Sequence, residues 1–599
     1  MTATLPETAS RAFMGVERSL GGKRWRPRLE NERTALAISQ RLGVPDVLGR
    51  VLAARGVDVD DAEAFLAPRL RELLPDPSHL LDMDRAVERI VAAINGGEKI
   101  GVFADYDVDG ASSASLLVRF FAALGRDVSV YVPDRIAEGY GPNAPALMTL
   151  KDSGVSLVIT VDCGTTAFAP LEVAAEAGLD VVVVDHHVAE PHLPEAVAVV
   201  NPNRLDETST VGQLCAAGVT FLLIVAVNRA LRDAYWYGEG HAEPDLMNWL
   251  DLVALATVAD VVPLTGVNRA LVRQGLAVMA RRGNPGIAAL ADVARLDEKP
   301  EAWHLGFMLG PRVNAGGRVG EAGLGVRLLT ATDRDEAAGI ATRLDRYNEE
   351  RREIEAAVLD AAMQQAERQA EDDTPLILAA GKGWHPGVIG IVAGRIKETY
   401  NRPACVVALE DGVGKGSGRS VRGVALGPAV IAAHQAGLLV NGGGHAMAAG
   451  FTVAEERLAD FRAFLAEHIE SQLGGAALAP EIGIDGAVSP EGATVDLIEL
   501  LEDAGPYGAG NPRPRFVLPG VTPIRADVVG TDHVRCFLAA PEGGKRLKAI
   551  AFRAAGTPVG EALLNARGGV LHVAGHLNID TWQGNRNPQF VIEDAARAG

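Results

Sequence analysis

The residues best suited to chemistry in this sequence are a carboxylate and two imidazoles in a row, Asp185-His186-His187. They follow four valines at positions 181–184, and such a β-branched run predicts a buried strand of a parallel sheet. Open α/β sheets bind their ligands at the carboxyl edge of these strands. The three side chains could therefore bind a divalent metal or form an acid–base set. Taken alone, they fit equally well a helix-capping aspartate followed by two surface histidines.

Three other acidic sites follow apolar segments in a similar way. They are Asp105-Tyr106-Asp107-Val108-Asp109-Gly110 after a predicted strand at 99–104, Asp162 after a strand at 157–161, and Asp260 after the apolar stretch 254–259. Alternate carboxylates can converge on a loop that leaves a strand, and Gly110 permits a tight turn into the next helix. Each site alone is explained more simply as a solvated loop or a helix cap. Together they favour a centre of hard oxygen donors and imidazoles, which suits Mn²⁺ or Mg²⁺, and two such ions about 4 Å apart are a common device for phosphoester hydrolysis.

The elements that position these residues predict several domains, because 599 residues exceed what one hydrophobic core supports. Alternating strands and helices predict an α/β domain with a doubly wound parallel sheet. Helical spacing without proline predicts one long helix, and the C-terminal part is strand-rich with one short helix near 494–503. The predicted segments are a helical lead-in at 1–75, the α/β domain at 76–332, the connecting helix at 333–373, a second α/β domain at 374–472 and a β-barrel at 476–599.

Composition and charge restrict the class of protein. The net charge of −20 argues at face value against a polyanionic partner, although aspartates that hold metals add to it. Residues 510–553 carry eight Lys or Arg against three Asp or Glu, a local excess of five positive charges. Four scattered cysteines indicate a reducing compartment. Without an apolar run of membrane-spanning length or an apolar signal core, we expect a cytoplasmic protein with no membrane contact.

In chain order, the four acidic sites resemble the motifs of the DHH phosphoesterase superfamily. Further segments resemble the RecJ exonucleases: Phe65-Leu66-x-Pro68, Leu80-Leu81-Asp82-Met83, residues 310–318, Trp384-His385-Pro386-Gly387, Gly442-Gly443-Gly444-His445 and Tyr507-Gly508-x-Gly510-Asn511-Pro512. The resemblance runs from about residue 60 to the C-terminus. It implies a DHH catalytic domain, a DHHA1-like nucleic-acid-binding domain at 374–472 and an OB-fold-like domain at 476–599. It also implies a 5′-to-3′ exonuclease that degrades single-stranded DNA to 5′-mononucleotides with two divalent cations, Mn²⁺ or Mg²⁺, in DNA repair and recombination.

The resemblance assigns a role to each acidic site. The implied metal ligands are Asp105, Asp107, Asp109, Asp162, His186 and Asp260. Asp162 would bridge the two ions, and His187 would contact the scissile phosphate and stabilise the leaving oxygen, so that these two residues are the implied catalytic pair.

Other residues are implied to bind the substrate. Ser417, Arg419 and Arg135 would hold a terminal 5′-phosphate, and Arg312 and Arg318 would contact the DNA backbone near the metals. The backbone N–H groups of Gly443, Gly444 and the neighbouring His445 could cradle a phosphate, but a tight turn that requires glycine explains these residues equally well. The basic C-terminal domain would track single-stranded DNA mainly through charge.

Two other functions remain compatible with the sequence. One is a DHH phosphodiesterase that acts on very short oligonucleotides, and the other is a catalytically inactive relative that only binds single strands. The C-terminal OB-like segment weighs against the first, and the complete set of aspartates and histidines weighs against the second. Single-stranded DNA is the expected partner, and the resemblance further implies contacts with single-strand-binding protein and recombination helicases.

Overall fold

The computed structural model describes residues 11–135, 137–238, 240–372, 374–476, 478–565, 569–581 and 584–598. The chain divides into two compact units, one of Met1–Leu73 with Ala479–Gly599 and the other of Leu74–Leu478. Within the described ranges, no helix is both long and apolar enough to cross a membrane.

The N-terminal segment is mostly helical, as predicted, but it also contains a strand that the sequence did not predict. Trp25 in this strand is completely buried. Asn31 caps the first helix by accepting hydrogen bonds from the backbone N–H groups of Arg33 and Thr34. The elements are β1 (Arg24–Pro27), α1 (Glu32–Leu42), α2 (Asp46–Ala53), α3 (Ala62–Leu66) and α4 (Leu70–Leu73).

The second unit begins with the predicted doubly wound parallel sheet. Its elements are α5 (Met83–Gly96), β2 (Ile100–Ala104), α6 (Val108–Ala123), β3 (Val128–Tyr131), α7 (Ala144–Asp152), β4 (Leu157–Val161), α8 (Phe168–Glu176), β5 (Asp180–Val184), β6 (Ala198–Val200) and α9 (Ala216–Asp233). The strand order is β3-β2-β4-β5-β6, with every pair parallel. Leu147 of α7 and Leu171 of α8 pack on one face against Val181 and Val183 of β5. On the other face, α9 contacts both α5 and α6.

A helical section follows the sheet and leads into the predicted long helix. Its elements are α10 (Leu250–Ala259), α11 (Gly266–Met279), α12 (Pro285–Val293), α13 (Ala302–His304), a π-helical turn (Leu305–Leu309), α14 (Gly310–Val319), α15 (Leu324–Thr330) and α16 (Arg334–Glu371). Asp333 caps α16, which has 38 residues. This helix contacts α14 near its start, and further along, Val358 and Ala362 enter the core of the next domain.

The second α/β domain contains a mixed five-stranded sheet in the order β10-β11-β9-β8-β7. Its elements are β7 (Ile377–Lys382), α17 (Ile389–Tyr400), β8 (Ala404–Glu410), β9 (Val413–Arg419), α18 (Leu426–Gln435), β10 (Asn441–His445), β11 (Ala448–Ala454) and α19 (Leu458–Leu473). One face of the sheet packs on α18 and α19 through Phe451 and Phe461. The three glycines 442–444 belong to the edge strand β10 rather than to a tight turn.

The C-terminal part is the predicted barrel. Its elements are β12 (Glu481–Ile484), β13 (Gly486–Ala487), α20 (Val495–Glu502), β14 (Phe516–Val529), β15 (His533–Ala539), β16 (Leu547–Ala551), α21 (Pro558–Leu564), β17 (Leu571–Asp580) and β18 (Asn587–Arg597). Pairing of β14 with β17 closes the sheet. The expectation of a single short helix in this segment is wrong, because α21 is a second one. Thr557 caps α21 and Pro558 begins it, an arrangement that favours helix initiation.

The N-terminal segment and the barrel are held together by buried polar contacts. Strand β1 pairs in parallel with β12. The indole of Trp25 donates to the fully buried Asp594 over 2.8 Å, and Asp485 accepts from Arg28 at 2.6 Å and from Arg55 at 2.9 Å. The predicted lead-in is therefore part of the barrel unit, because a short helical segment cannot bury a core of its own.

One ion pair on the barrel makes its stability depend on pH. Burial favours the neutral form of Glu593, but hydrogen bonds from His576 at 2.7 Å and Arg515 at 2.5 Å lower its pKa to about 2. A depressed carboxylate pKa stabilises the fold above the unfolded-state pKa of about 4.3, and this contribution is lost as the pH falls toward 2.

Because the side chain of Glu593 is partly exposed, we expect Glu593→Gln to lower the free energy of unfolding by about 1 kcal/mol at pH 7. Urea unfolding at pH 7 and pH 3 measures this loss, which should shrink at pH 3. The exposed Glu542→Gln serves as the control, and equal stabilities of Glu593→Gln and wild type at pH 7 would contradict the assignment.

Candidate active site

The predicted acidic sites meet at one edge of the parallel sheet. The helices that follow β2 and β4 cover opposite faces, so a crevice opens between the carboxyl ends of these neighbouring strands. Asp105 directly follows β2, Asp162 directly follows β4, and Asp185 directly follows β5. Asp260 reaches the same place from the C-terminal end of α10, and therefore belongs to a helix rather than to a strand.

The acidic loop after β2 is fixed by the start of two helices. Asp107 caps α6 by accepting from the N–H groups of Asp109 at 2.8 Å and Gly110 at 3.2 Å. The carboxylate oxygens of Asp109 accept from the first two N–H groups of α9, residues 216 and 217, at 2.7 and 2.8 Å. A Cβ on Gly110 would lie 2.4 Å from the carbonyl oxygen of Asp105. Gly110 therefore allows a close approach of helix and strand. The sequence suggested instead that glycine is needed here for a tight turn.

Asp162 has an unusual backbone conformation. Its φ of +62° lies in the left-handed region, which costs a non-glycine residue free energy and is frequent at functional sites. The Tyr140 hydroxyl donates to its carbonyl oxygen over 3.0 Å. Gly164 follows with φ +116°, and a Cβ there would lie 2.7 Å from the Thr160 hydroxyl oxygen. The chain thus turns sharply so that the Asp162 carboxylate stays inside the crevice, where the residue is 2% exposed.

The two histidines face different groups. Nε2 of His186 lies 3.7 Å from Asp109 Oδ2, 3.4 Å from Asp162 Oδ1 and 3.5 Å from Asp260 Oδ2. Nδ1 of His187 instead bonds to Asp185 Oδ1 over 2.7 Å. Asp185 also accepts from the N–H groups of His186, His187 and Thr165, so its carboxylate is fully used in orienting the loop. His186 is placed as a ligand, and His187 as an oriented acid.

The donor set fits divalent cations. Three groups of side chains each place ligand atoms within 4.8 Å of one another: Asp105 with Asp107 and Asp162, Asp109 with His186 and Asp260, and Asp162 with His186 and His187. Asp105 Oδ1, His186 Nε2 and Asp260 Oδ2 are buried and have no hydrogen-bond partner among the described residues. Buried polar atoms normally have partners, and carboxylates with imidazole are ligands of Mn²⁺ and Mg²⁺.

The pKa values of the clustered carboxylates also favour bound cations. Burial, followed by repulsion from Asp109 and its neighbours, raises the pKa of Asp162 well above its usual range. Burial and the same repulsion raise the pKa of Asp105 and Asp109, and bring that of Asp260 to about 9. Several carboxylates cannot all be ionised in a dry crevice without compensating positive charge. Bound cations would supply that charge.

The histidine pair is tuned in opposite directions. Burial lowers the pKa of His186, which favours the neutral imidazole that a metal requires. Burial also disfavours the charged form of His187, but the hydrogen bond with Asp185 outweighs this and raises the pKa of His187 to about 9. His187 therefore carries a proton at neutral pH and can donate it.

Several residues that support the site were missed in the sequence. Asn201 donates to the carbonyl oxygen of His187 over 2.7 Å, and Asn203 donates to that of His186 over 2.6 Å. Both follow β6, so the strand-end pattern that marked the aspartates could have found them. Asn314, whose amide oxygen accepts from Val108 N–H, lies in the segment 310–318 that carries the resemblance, although no role was assigned to it. Tyr140 comes from a loop and has no such signal.

A group of cations lies beside the acidic centre. The guanidinium of Arg135 lies 5.1 Å from the ring centroid of Tyr106. Tyr106 is the residue between Asp105 and Asp107 in the sequence. Burial and then repulsion from Arg135 lower the pKa of Arg318 to about 10, and the same two causes lower the pKa of Arg419 and His385. The four groups come from both α/β domains. Such mutual repulsion indicates a site for an anion.

Ser417 and Arg419 meet at the start of a helix. Arg419 Nη1 donates to Ser417 Oγ over 3.0 Å. A Cβ on Gly390 would lie 2.9 Å from Arg419 Nη2 and 3.1 Å from Ser417 Oγ, which places both side chains against the first turn of α17. Helix N-termini favour phosphate groups.

The other predicted substrate residues are placed differently. Arg312 bonds to Asp345 at 2.8 Å and to the Met308 carbonyl oxygen at 2.6 Å, so any contact of Arg312 with DNA would compete with these bonds. Arg318 donates to the carbonyl oxygen of Gly387 over 2.9 Å. Residues 443–445 lie on the edge strand β10, and β11 separates them from Ser417 and Arg419 on β9. They therefore form part of the same sheet and do not form a loop that encloses a phosphate.

Three protein families match successive parts of the chain: "DHH family, N-terminal domain" over residues 99–257, "DHHA1 domain" over residues 373–471 and "RecJ OB domain" over residues 484–594. The single-stranded-DNA-specific exonuclease RecJ of Dickeya dadantii is 38% identical over 567 residues, which cover 92% of this chain and 96% of that protein. The chain belongs to the RecJ family.

Solved RecJ structures agree with this assignment. The crystal structure of RecJ with Mn²⁺ from Thermus thermophilus has a TM-score of 0.79 and 30% identity to this chain, covering 96% of it and 80% of that chain. The Mg²⁺ complex of the same protein has a TM-score of 0.73 and 28% identity, covering 96% and 78%. In the present RecJ chain, Ser417 and Arg419 lie within the DHHA1 match, whereas Asp260 lies just beyond the DHH match.

Proposed function

We propose that this chain is an exonuclease that degrades single-stranded DNA from its 5′ end to 5′-mononucleotides, using two divalent cations, Mn²⁺ or Mg²⁺. The observation that carries the proposal is the pairing of a buried carboxylate–imidazole centre with a cation group at the mouth of one crevice. The first suits hydrolysis of a phosphodiester, and the second suits a terminal phosphate. A role in DNA repair and recombination follows from this activity.

The metal ligands are assigned from the grouping of side chains. Asp105, Asp107 and Asp162 would hold one cation, and Asp109, His186 and Asp260 would hold the other. Asp162 and His186 each belong to two of the three groups, and Asp162 as the carboxylate would bridge the two sites. When bound, the cations would act as Lewis acids that activate water and neutralise charge on the phosphoryl oxygens.

The protein's own contribution centres on His187. Asp185 fixes its ring and keeps it protonated, so that it can donate a proton to the O3′ atom that leaves. Tyr140 lies against the same ring, with its hydroxyl oxygen 3.2 Å from Nδ1, and restricts its rotation. Burial of Asp105, Asp109 and Asp162 excludes bulk water from the centre, which strengthens every charge interaction there.

Polarity would be set by the cation group. Ser417, Arg419 and Arg135 would hold the terminal 5′-phosphate, while the first phosphodiester of the strand reaches the carboxylate centre. A strand that enters in the opposite direction would present a 3′-hydroxyl to buried guanidinium groups and leave their charge uncompensated.

Removal of the Arg419 side chain should reduce the preference for a 5′-phosphate. We expect Arg419→Ala to lower the ratio of kcat/KM for 5′-phosphorylated over 5′-hydroxyl strands by about tenfold or more, because a charge-assisted contact of about 1.5–3 kcal/mol is lost. Initial rates on the two strands measure the ratio. Arg334→Ala, an exposed substitution at the start of α16, is the control. If Arg419→Ala discriminates as strongly as wild type, the assignment of the phosphate site is incorrect.

A series of substrate lengths separates the proposed function from its alternatives. The purified chain with Mn²⁺ or Mg²⁺ should digest a long single strand faster than the matching duplex. Activity on dinucleotides with none on the long strand would instead indicate an oligonucleotide phosphodiesterase. Binding of single strands without release of nucleotides would indicate an inactive relative.

The domain roles complete the proposal. Residues 76–332 would form the catalytic domain, joined by the helix at 333–373 to a nucleic-acid-binding domain at 374–472. The barrel at 476–599, with the segment 1–75, would bind the single strand beyond the crevice. We further propose action in the cytoplasm and contacts with single-strand-binding protein and recombination helicases, which the family resemblance supports.

A further inference from the structure

The sheet of the second α/β domain has an open face that continues past the proposed 5′-phosphate site. Side chains two residues apart in a strand share a face. The register across β9, β11 and β10 therefore places three rows on that face: Arg419, Ala448 and His445; Ser417, Gly450 and Gly443; Lys415, Thr452 and Asn441. Consecutive rows are two residues apart along each strand, which is about 7 Å. The third row therefore lies about 7 Å from the row of Ser417 and about 13 Å from the row of Arg419.

A cavity of about 230 Å³ lies at this third row. Its lining includes the Lys415 ammonium, the Asn441 amide and the Thr452 hydroxyl. In the described parts of the chain, none of these three side chains forms a side-chain hydrogen bond or an ion pair. Strand β10 is also the edge strand of its sheet. The cavity thus combines one positive charge with several neutral donors, and the residues that line it include no carboxylate.

Two glycines form part of the cavity floor without being required by the fold. A Cβ at Gly443 or Gly450 would meet no atom within 4 Å, and neither residue has a positive φ. By contrast, a Cβ at Gly416 would lie 2.1 Å from the Phe451 ring, and one at Gly442 would lie 2.8 Å from Leu439. Glycine weakens a strand and often marks a close approach of a ligand. At these two positions the absent side chains leave room above the sheet beside Lys415.

We propose that this cavity binds the outer phosphates of a strand that ends in a 5′-diphosphate or 5′-triphosphate. The inference rests on the proposed function, because it takes the innermost phosphate to lie at Ser417 and Arg419. Arg419 faces Arg135 and the carboxylate centre, so the strand leaves the phosphate site on that side. The row of Lys415 lies on the other side, where only groups attached to the 5′-phosphate can extend. An ammonium, an amide and a hydroxyl are suitable donors for such oxyanions.

The chemistry at such an end is the ordinary hydrolysis of the first phosphodiester. The oxygen of water forms a bond to phosphorus, the bond from phosphorus to O3′ of the first nucleotide breaks, and O3′ receives a proton. The products are a nucleoside 5′-triphosphate and a strand with a new 5′-monophosphate. All later turnovers are then identical to those on a monophosphorylated strand.

Equilibrium binding tests the proposal in the Asp162→Asn background, in which hydrolysis is suppressed. One 3′-labelled single strand is prepared with a 5′-hydroxyl, a 5′-monophosphate and a 5′-triphosphate end. We expect the triphosphate form to bind roughly three- to tenfold more tightly than the monophosphate form, as one partly exposed charge contact allows. Lys415→Gln should bring this ratio to about one, whereas Lys415→Arg and the control Gly339→Ala, on an exposed position of α16, should retain it. Gly450→Val, which places side-chain atoms in the cavity, should also lower it.

The outcomes separate this inference from the proposed function. Equal affinities for triphosphate and monophosphate ends, or an affinity ratio unaffected by Lys415→Gln, would overturn the cavity assignment. The 5′-phosphate site would still be supported if the monophosphate strand bound more tightly than the hydroxyl strand. Equal affinities for monophosphate and hydroxyl ends would instead overturn the 5′-phosphate site. With active enzyme, release of the first nucleotide as a nucleoside triphosphate supports the proposal, and a first product that is a monophosphate contradicts it.

Discussion

Replacement of Asp162 by alanine should lower the rate of single-strand hydrolysis by about 10³-fold or more. This carboxylate belongs to two of the three ligand groups, so its removal would take a ligand from both proposed cation sites at once. The effect should appear in kcat, since the proposed contacts of Ser417 and Arg419 with the strand would be untouched. Gel-based product analysis with Mn²⁺ in excess measures it, together with Mn²⁺ binding followed by electron paramagnetic resonance.

Controls distinguish loss of metal from loss of fold. Asp162→Asn keeps the volume of the side chain, and asparagine tolerates the positive φ of this position better than alanine does. Because burial and then repulsion from the neighbouring carboxylates raise the pKa of Asp162, Asp162→Asn should be at least as stable as wild type without metal. Asp152→Ala, an exposed aspartate at the end of α7, should behave like wild type. Full activity of Asp162→Ala would exclude a bridging carboxylate at this position.

Replacement of His187 by alanine should lower kcat by about 10²- to 10³-fold, which is typical for loss of a general acid. KM and Mn²⁺ affinity should change little, because Nδ1 of His187 bonds to Asp185 and His187 belongs to one of the three ligand groups, whereas His186 belongs to two. His186→Ala is the matched comparison. Its Nε2 lies between Asp109, Asp162 and Asp260, so this variant should lose Mn²⁺ affinity, and activity should recover in part at high Mn²⁺.

Asp185 should act through His187 and not independently. Asp185→Asn removes the charge that raises the His187 pKa to about 9, so the alkaline limb of the pH–rate profile should move to lower pH. In combination with His187→Ala, the Asp185→Asn substitution should add little, as expected for residues that work as one unit. If His187→Ala loses Mn²⁺ affinity as strongly as His186→Ala, the division of roles between the histidines is incorrect.

Most of the parallel sheet could be predicted from the sequence. The valines at 181–184 and the strand at 157–161 are buried as expected, because a sheet covered on both faces requires continuous apolar runs. The strand-end rule then placed Asp105, Asp162 and His186 together. Asp260 was grouped with them because it ends the apolar stretch 254–259, but this stretch is a helix, and no local periodicity specifies which helix end faces the sheet.

Features that depend on distant contacts were not predictable in the same way. The pairing of β1 with β12 joins residues more than 450 positions apart. The buried contacts of Trp25 and Asp485, together with the apolar core that α1 and α2 share with the barrel, explain why the N-terminal segment belongs to it. Arg312 looked like a DNA contact from its motif, but its partner Asp345 lies on the next long helix. The cavity at Lys415 arises from register between strands, which a single sequence does not specify.

The most direct test of the account is a time course on one single-stranded DNA carrying its label at either the 5′ or the 3′ end, with Mn²⁺ or Mg²⁺. The account predicts that the 5′ label is released as a mononucleotide from the first time points, while the 3′-labelled strand shortens progressively. Release of the 3′ label first, or the appearance of internal fragments with both ends intact, would contradict it.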